Sequence, residues 1–180
     1  DQACHYVDEL KPVIYGIADA LHDHPETGMN EVFASTTLKK ILQDHGFAID
    51  NPVADAFPTA FHAVCGNGPF QMGFLAEYDA LPEIGHGCGH NLIAAMSVGA
   101  ALAFAKAAGT KATVHVYGCP AEETVGSKVY MSEHGVFDGL EAAVIVHPGT
   151  DQTYIGGTSY ATHPLQFTFL GKAAHVADAT

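Results

Sequence analysis

The glycine-rich segment HGCGHN, residues 86–91, places a cysteine and a histidine two positions apart. Cys88 offers a sulfur and His90 an imidazole nitrogen, and both atoms bind divalent transition metals. The glycines that flank Cys88 permit the tight turn that would point both side chains at one ion. The segment therefore predicts a metal-binding turn, although the same spacing also occurs in purely structural zinc sites.

Three further candidates follow along the chain. Glu122 and Glu123 come directly after CPA, and His147 lies in VIVHPG. Adjacent glutamates cannot point in the same direction, so one could bind a metal while its neighbour takes a proton from water. Taken alone, the two acids are typical of a helix start. An isolated histidine is typical of an ordinary core or loop position. Their occurrence together favours metal-assisted hydrolysis.

Hydrophobic periodicity predicts a layered α/β fold. The predicted helices are 8–21, 31–45, 90–108 and 122–134, and the predicted strands are 47–49, 60–65, 71–76, 113–118 and 142–147. A weaker extended piece covers 154–160, and 165–170 alternates like a half-buried strand. Because strands and helices alternate, we expect a largely parallel mixed sheet flanked by helices.

The candidates fall where predicted strands give way to loops. Glu77 and Asp79 follow 71–76, the glutamate pair follows 113–118, and His147 ends 142–147. The carboxyl ends of parallel strands meet at one edge of a sheet, so we expect these side chains to converge. His90 begins a predicted helix, whose positive dipole end favours the neutral imidazole that binds metal.

Composition narrows the class of partner. The chain has 180 residues, 48% of them hydrophobic, which is enough for a folded core. Its formal charge of −13 argues against a nucleic-acid or anionic-membrane partner and favours small molecules or ions. Four irregularly spaced cysteines predict a reducing compartment, and we expect a cytoplasmic protein. We see no signal-peptide pattern, and the apolar stretch 92–105 is too short to span a bilayer.

Four segments carry a family resemblance. EYDALPEIGHGCGHN, CPAEE, VIVHPG and GKAAH resemble, in this order, segments of the co-catalytic metallopeptidases that include aminoacylase, hippurate hydrolase and auxin-conjugate amidohydrolases. The first segment most resembles the aminoacylase-like dipeptidase and aminobenzoyl-glutamate hydrolase branch, with Asn91 where many amidohydrolases carry Asp. The resemblance implies a zinc-peptidase-like catalytic domain over residues 1–162 and the beginning of a smaller α+β lid and dimerisation domain over 163–180.

The resemblance also implies a role for each candidate. Four residues would be metal ligands, namely Cys88, His90, Glu123 and His147. Glu122 would be the general base, Asp79 would orient the site, and His175 of the lid would steady the oxyanion in the active site of the partner subunit of a homodimer. Two divalent ions are expected, zinc or manganese, with cobalt or nickel also compatible. The implied reaction is hydrolysis of an amide bond in a small N-acyl amino acid, dipeptide or aminobenzoyl-glutamate-like substrate by a metal-activated water.

Two other interpretations remain open at this point. The chain could be a metal-binding or scaffold protein without catalysis, or an inactive fragment of such a hydrolase. It could also be a thiol enzyme that uses Cys88 as nucleophile with a neighbouring histidine. Removal of metal by a chelator would stop a metallohydrolase and spare a thiol enzyme.

Overall fold

The computed structural model describes residues 2–153, 155–156, 165 and 167–171. The chain divides into two compact units, Asp1–Pro148 and Gly149–Thr180. All helices and strands of the described residues belong to the first unit. The predicted domain boundary between residues 162 and 163 and the candidate His175 lie outside the described residues, so both stay predictions.

A mixed sheet forms the centre of the first unit. Its strands are β1 Ala48–Asp50, β2 Phe61–Gly66, β3 Phe70–Ala76, β4 Ala112–Gly118 and β5 Ala142–Val144. They lie in the order β1-β2-β4-β3-β5. β2 runs antiparallel to β1 and β4, whereas β3 runs parallel to both β4 and β5. The predicted α/β class with a mixed sheet is confirmed, and the parallel strands are those that precede the candidate residues.

Four helices flank the sheet in the described part of the chain. They are α1 Gln2–Asp23, α2 Val32–Asp44, α3 His90–Ala108 and α4 Ser127–Glu133, and a short 3-10 turn, Gly109–Lys111, follows α3. α3 packs on β3, β4 and α1, so its alanine-rich faces are buried on both sides. The main core holds Leu21, Leu38, Phe61, Phe74 and Val116. Burial of each such side chain contributes about 1.5–3 kcal/mol, and this core fixes the first turn of α3 against the sheet.

By length and composition the segment His90–Lys111 is apolar enough to cross a membrane. Half of its most apolar stretch is buried within the fold, and the central helix of a compact domain can be equally long and apolar. The described structure uses this segment as a core helix, as predicted, but the helix extends beyond the apolar stretch 92–105, so the argument from its short length is wrong.

The helix predicted over 122–134 is wrong at its beginning, because α4 starts only at Ser127. Ala121 and Gly126 have φ angles of 56° and 65°, in the left-handed region that a right-handed helix excludes. Glu122 and Glu123 lie in the turn between them. Their interpretation as first-turn acids stabilised by a helix dipole is therefore also wrong.

The strand predicted over 165–170 is also absent from the described residues of that stretch, 165 and 167–170, which have no regular structure. The side chains of Leu165, Phe167, Phe169 and Leu170 are all exposed. Alternation of apolar residues makes a strand only where another strand supplies hydrogen bonds and a surface to cover, and no strand of the described residues pairs with this stretch. The prediction over 154–160 falls largely outside the described residues.

Candidate metal centre

The strand ends converge as the sequence predicts. Ala76 lies opposite Gly118 across β3 and β4, and Phe74 lies opposite Val144 across β3 and β5. All three strands run in the same direction, so the loops that follow them leave the sheet at one edge. These loops carry Glu77 and Asp79, Glu122 and Glu123, and His147.

His90 lies at the centre of this edge. Its side chain is 1% exposed, and its Nδ1 lies 3.0 Å from Asp79 Oδ1. Its Nε2 lies 3.5 Å from Glu77 Oε2, 3.7 Å from Glu123 Oε1 and 3.8 Å from Glu122 Oε2. Among the described residues, neither His90 Nε2 nor Glu77 Oε2 finds a hydrogen-bond partner, although both atoms are buried. Buried polar atoms are rarely left unpaired, so this cluster has the character of a cation site.

Asp79 joins two parts of the cluster. Its Oδ2 accepts a hydrogen bond from the backbone N–H of Glu123 at 3.0 Å, while Oδ1 faces His90. Burial raises the pKa of Asp79, but the hydrogen bonds from His90 and from the backbone N–H of Glu123 outweigh it, so the pKa lies below its usual value. Asp79 is therefore an ionised acceptor that orients both an imidazole and a glutamate.

The charge state of His90 differs from the expectation drawn from its helix position. Burial lowers the pKa of His90, but the hydrogen bond to Asp79 and the negative charges of Asp79, Glu77 and Glu123 raise it further, to a net value above the usual one. Neighbouring carboxylates thus outweigh the helix dipole. A metal ion held by His90 would take the place of the proton that these acids attract.

His147 approaches from the third strand end. Its ring packs edge-on against that of His90, with centroids 5.9 Å apart. Its Nδ1 lies 2.8 Å from the carbonyl oxygen of Pro148, to which it donates, so Nε2 of the neutral ring keeps its lone pair. Two ligand groups result, Glu77 with His90 and His147, and His90 with Glu122 and Glu123, and within each the donor atoms lie within 4.8 Å of one another.

Cys88 is connected to the site by a side-chain hydrogen bond with Glu123. The hydrogen bond between the two side chains, together with burial and the nearby acids, raises the pKa of the Cys88 thiol to about 11. A thiol in such surroundings stays protonated near neutrality, which argues against the thiol-enzyme interpretation. A cation would displace this proton, as happens when thiols become metal ligands.

Two acids that are not among the predicted ligands or catalytic residues belong to the assembly. Glu77 is 3% exposed and forms an ion pair with Lys128 through one oxygen while the other faces His90. Its position at a strand end was a usable signal. Glu31 is fully buried and accepts a hydrogen bond from the backbone N–H of Ala121 at 2.7 Å. Its partner lies 90 positions away, and no local pattern indicates that contact.

The donor set is chemically suited to divalent transition metals. Imidazole nitrogens, a sulfur and several carboxylate oxygens surround one buried edge, a mixture that zinc accepts and that manganese tolerates through its oxygen ligands. All four predicted metal ligands, the predicted base and Asp79 are thus gathered in one place, whereas His175 lies outside the described residues.

The fold and this donor set define a metallohydrolase-type domain, with its site at the carboxyl edge of an α/β sheet. The sequence profile of Peptidase family M20/M25/M40 matches residues 73–170, more than half of the chain. The chain belongs to this family, and the resemblance inferred from the four motifs is confirmed.

Curated relatives agree with the branch as well as the family. The chain is 36% identical over 182 residues to one of the subunits of p-aminobenzoyl-glutamate hydrolase from Escherichia coli, covering 90% of this chain and 38% of that one. It is 34% identical over 191 residues to the Xaa-Arg dipeptidase of Mus musculus, covering 98% and 44%. The chain therefore spans about two fifths of the length of these relatives.

Solved structures support the fold. A Bacillus subtilis dinuclear metal binding peptidase from the M20 family aligns with a TM-score of 0.64 at 23% identity, covering 76% of this chain and 42% of that one. The aminobenzoyl-glutamate utilization protein from Klebsiella pneumoniae aligns with a TM-score of 0.65 at 21% identity, covering 83% and 47%. At these identities the likeness concerns the architecture of the catalytic domain.

Proposed function

We propose that this chain provides the metal centre of an amidohydrolase that cleaves the amide bond of a small N-acyl amino acid, dipeptide or aminobenzoyl-glutamate-like substrate. One observation carries the proposal: the buried, unpartnered Nε2 of His90 faces three carboxylate oxygens at 3.5–3.8 Å. The names of the relatives, a p-aminobenzoyl-glutamate hydrolase and an Xaa-Arg dipeptidase, support this substrate range.

The chain's own residues divide into ligands and a base. Four residues would hold two divalent ions, namely Cys88, His90, Glu123 and His147. Glu77 lies close to two of these residues, His90 and His147. Such ions polarise a carbonyl oxygen and lower the pKa of water. Asp79 fixes the ring of His90 so that Nε2 points into the cluster.

Glu122 is the residue best placed to move a proton. Its side chain is 39% exposed, more than that of any other acid around His90. Asp79 binds the backbone N–H of Glu123 and Lys128 pairs with Glu77, so neither of these contacts occupies the carboxylate of Glu122. It accepts a proton from the attacking water as the new carbon–oxygen bond forms, and it returns that proton to the amine nitrogen as the carbon–nitrogen bond breaks. The products are a carboxylic acid and a free amine.

Several finer properties belong to the same proposal. Zinc or manganese is the proposed metal, with cobalt or nickel as substitutes, because the donors combine nitrogen, sulfur and oxygen. From the family resemblance we propose a homodimer in which His175 acts in the partner's site. The formal charge of −13 supports the absence of nucleic-acid or membrane partners, and the four irregularly spaced cysteines support a cytoplasmic location.

A substitution of the base tests the function. Glu122→Gln keeps the shape of the side chain but cannot accept the proton, so hydrolysis of aminobenzoyl-glutamate and of dipeptides ending in arginine should fall by about 10²–10⁴. The metal content of the variant, measured by elemental analysis, should equal that of the unsubstituted chain. Glu133→Gln, at an exposed position of α4, is the matched control.

Retention of hydrolysis by the metal-loaded Glu122→Gln chain would refute the assigned base. Metal binding without hydrolysis of any of these amides by the unsubstituted chain would favour the non-catalytic alternative. Full activity after removal of metal by a chelator would revive the thiol-enzyme alternative.

A further inference from the structure

A buried acid outside the metal cluster holds the turn that carries Glu122 and Glu123. The side chain of Glu31, at the start of α2, is 0% exposed. Its Oε1 accepts a hydrogen bond from the backbone N–H of Ala121 at 2.7 Å, and its Oε2 accepts one from the hydroxyl of Thr59 at 2.9 Å. Among the described residues, no cation forms an ion pair with Glu31.

The residue that Glu31 holds is conformationally unusual. Ala121 has a φ angle of 56°, a left-handed conformation that residues with a Cβ adopt only when their surroundings enforce it. This conformation turns the chain out of β4 and directs the next two residues towards His90. If Ala121 relaxed to ordinary backbone angles, Glu122 and Glu123 would leave the cluster.

The far side of the same turn has its own support. Asp79 accepts the backbone N–H of Glu123 at 3.0 Å. The carbonyl oxygen of Ala121 accepts hydrogen bonds from the backbone N–H groups of Val125 and Gly126, at 3.2 and 2.8 Å. Glu31 therefore holds the turn at Ala121, and Asp79 holds it at Glu123.

We propose that Glu31 is a positioning residue for the metal centre: it fixes Ala121 in the left-handed conformation and thereby aims Glu122 and Glu123 at His90. The catalytic part of this inference rests on the proposed amidohydrolase function. The part that concerns the placement of the two glutamates does not depend on it.

The energetics of Glu31 agree with a positioning role. Burial raises the pKa of Glu31 above its usual value, despite the hydrogen bonds from its own backbone, Thr59 and Ala121. A buried carboxylate whose pKa is raised costs stability near neutrality, so removal of its charge should not destabilise the fold by itself. What the site requires is an oxygen acceptor at the Ala121 N–H.

Four variants of the full chain separate this role from a general effect on folding. Glu31→Gln keeps an acceptor for Ala121 and can donate to Thr59, whose hydroxyl also accepts. Glu31→Asp keeps the charge but is one methylene shorter, so it cannot reach both partners. Glu31→Met fills similar space without an acceptor, and Thr59→Val removes only the second partner and serves as the control.

The affinity for Zn²⁺ alone, measured by competition with a chromophoric chelator, is the first readout. We expect Glu31→Gln and Thr59→Val to stay within about twofold of the unsubstituted chain, Glu31→Asp to bind at least threefold more weakly, and Glu31→Met at least tenfold more weakly. Unchanged affinity in both Glu31→Asp and Glu31→Met, or an equal loss in Thr59→Val, would overturn the proposal.

Hydrogen exchange of the peptide amides over residues 119–126 is a second readout that needs neither metal nor substrate. Protection of Ala121 should persist in Glu31→Gln and fall at least tenfold in Glu31→Asp, and equal protection in both would overturn the proposal. In hydrolysis assays, Glu31→Asp should lower kcat at nearly constant KM. If the unsubstituted chain hydrolyses no amide but the zinc and exchange series hold, the proposed function fails and the positioning role of Glu31 stands.

Discussion

Asp79 and His90 form the central pair of the candidate metal centre, with Oδ1 of Asp79 3.0 Å from Nδ1 of His90. Both side chains are buried, and the pair leaves only Nε2 of His90 facing Glu77, Glu122 and Glu123. Because Nδ1 is occupied by the carboxylate, the tautomer and the ring angle are fixed before any ion arrives.

Removal of the Asp79 charge should weaken metal binding. We expect Asp79→Asn to lower Zn²⁺ affinity by about 10–100-fold, since the amide is a poorer acceptor for His90 and for the N–H of Glu123. Isothermal titration measures the change. Asp50→Asn is the matched control, because Asp50 is hydrogen-bonded to His62 at 2.9 Å on the exposed edge of the sheet. A loss in Asp50→Asn as large as that in Asp79→Asn would contradict the assigned role.

The convergence of the site was predictable because it follows from strand direction. Once β3, β4 and β5 are parallel, the residues after each strand must meet, and the sequence alone places Asp79, Glu122 and His147 there. His90 was predictable for a similar reason, since α3 begins where the glycine-rich segment ends. These inferences depend only on local patterns and on the geometry shared by all parallel sheets.

The turn at Glu122 was not predictable from local patterns. The sequence PAEETVGSK is compatible with a helix from its first glutamate, but Ala121 and Gly126 are both left-handed and delay the helix to Ser127. The conformation of Ala121 is supported by Glu31, from a distant part of the chain. The strand end predicts Glu77 at this edge of the sheet, but its ion pair with Lys128 on α4 is a contact that only the tertiary structure creates.

Metal affinity should depend steeply on pH. The pKa of His90 lies above its usual value of 6.5, so below that raised pKa a proton occupies the ring and competes with the ion. Affinity for Zn²⁺ should therefore rise from about pH 6 to about pH 8, by about tenfold per unit for each ligand that must lose a proton. The Cys88 thiol, with a pKa of about 11, adds to this slope.

Proton release checks that pH dependence directly. Titration of Zn²⁺ at pH 7 in buffers of different ionisation enthalpy should show at least one proton released per bound ion, and Cys88→Ala should release fewer. Without metal, the free energy of unfolding should change with pH in the direction opposite to the metal affinity. The contribution of His90 to stability is present at low pH and is lost as pH rises through its raised pKa. An affinity independent of pH over this range would contradict the assignment of His90 and Cys88 as ligands.

The thiol of Cys88 should react slowly. Its hydrogen bond to Glu123 and the nearby acids raise its pKa to about 11, so little thiolate exists near neutrality. With iodoacetamide at pH 7, Cys88 should be alkylated more slowly than the exposed Cys4, as measured by peptide mass mapping over time. Bound Zn²⁺ should slow the reaction of Cys88 further and leave Cys4 unchanged. Faster alkylation of Cys88 than of Cys4 would support an activated thiol instead.

Gly89 should be required for both stability and metal binding. It has a φ angle of 77°, and a Cβ at this position would lie 2.9 Å from Cγ of Pro148, directly after the proposed ligand His147. Gly139 has a similar φ of 86°, and a Cβ there would meet nothing within 4 Å. Gly139→Ala should thus show the backbone cost alone, about 1–2 kcal/mol of the free energy of unfolding. Gly89→Ala should cost more and also weaken Zn²⁺ binding, because the contact pushes His90 and His147 apart. Equal losses in stability and unchanged Zn²⁺ affinity in the two variants, measured by denaturant unfolding and metal titration, would show that the contact between the HGCGHN turn and Pro148 does not set the geometry of the site.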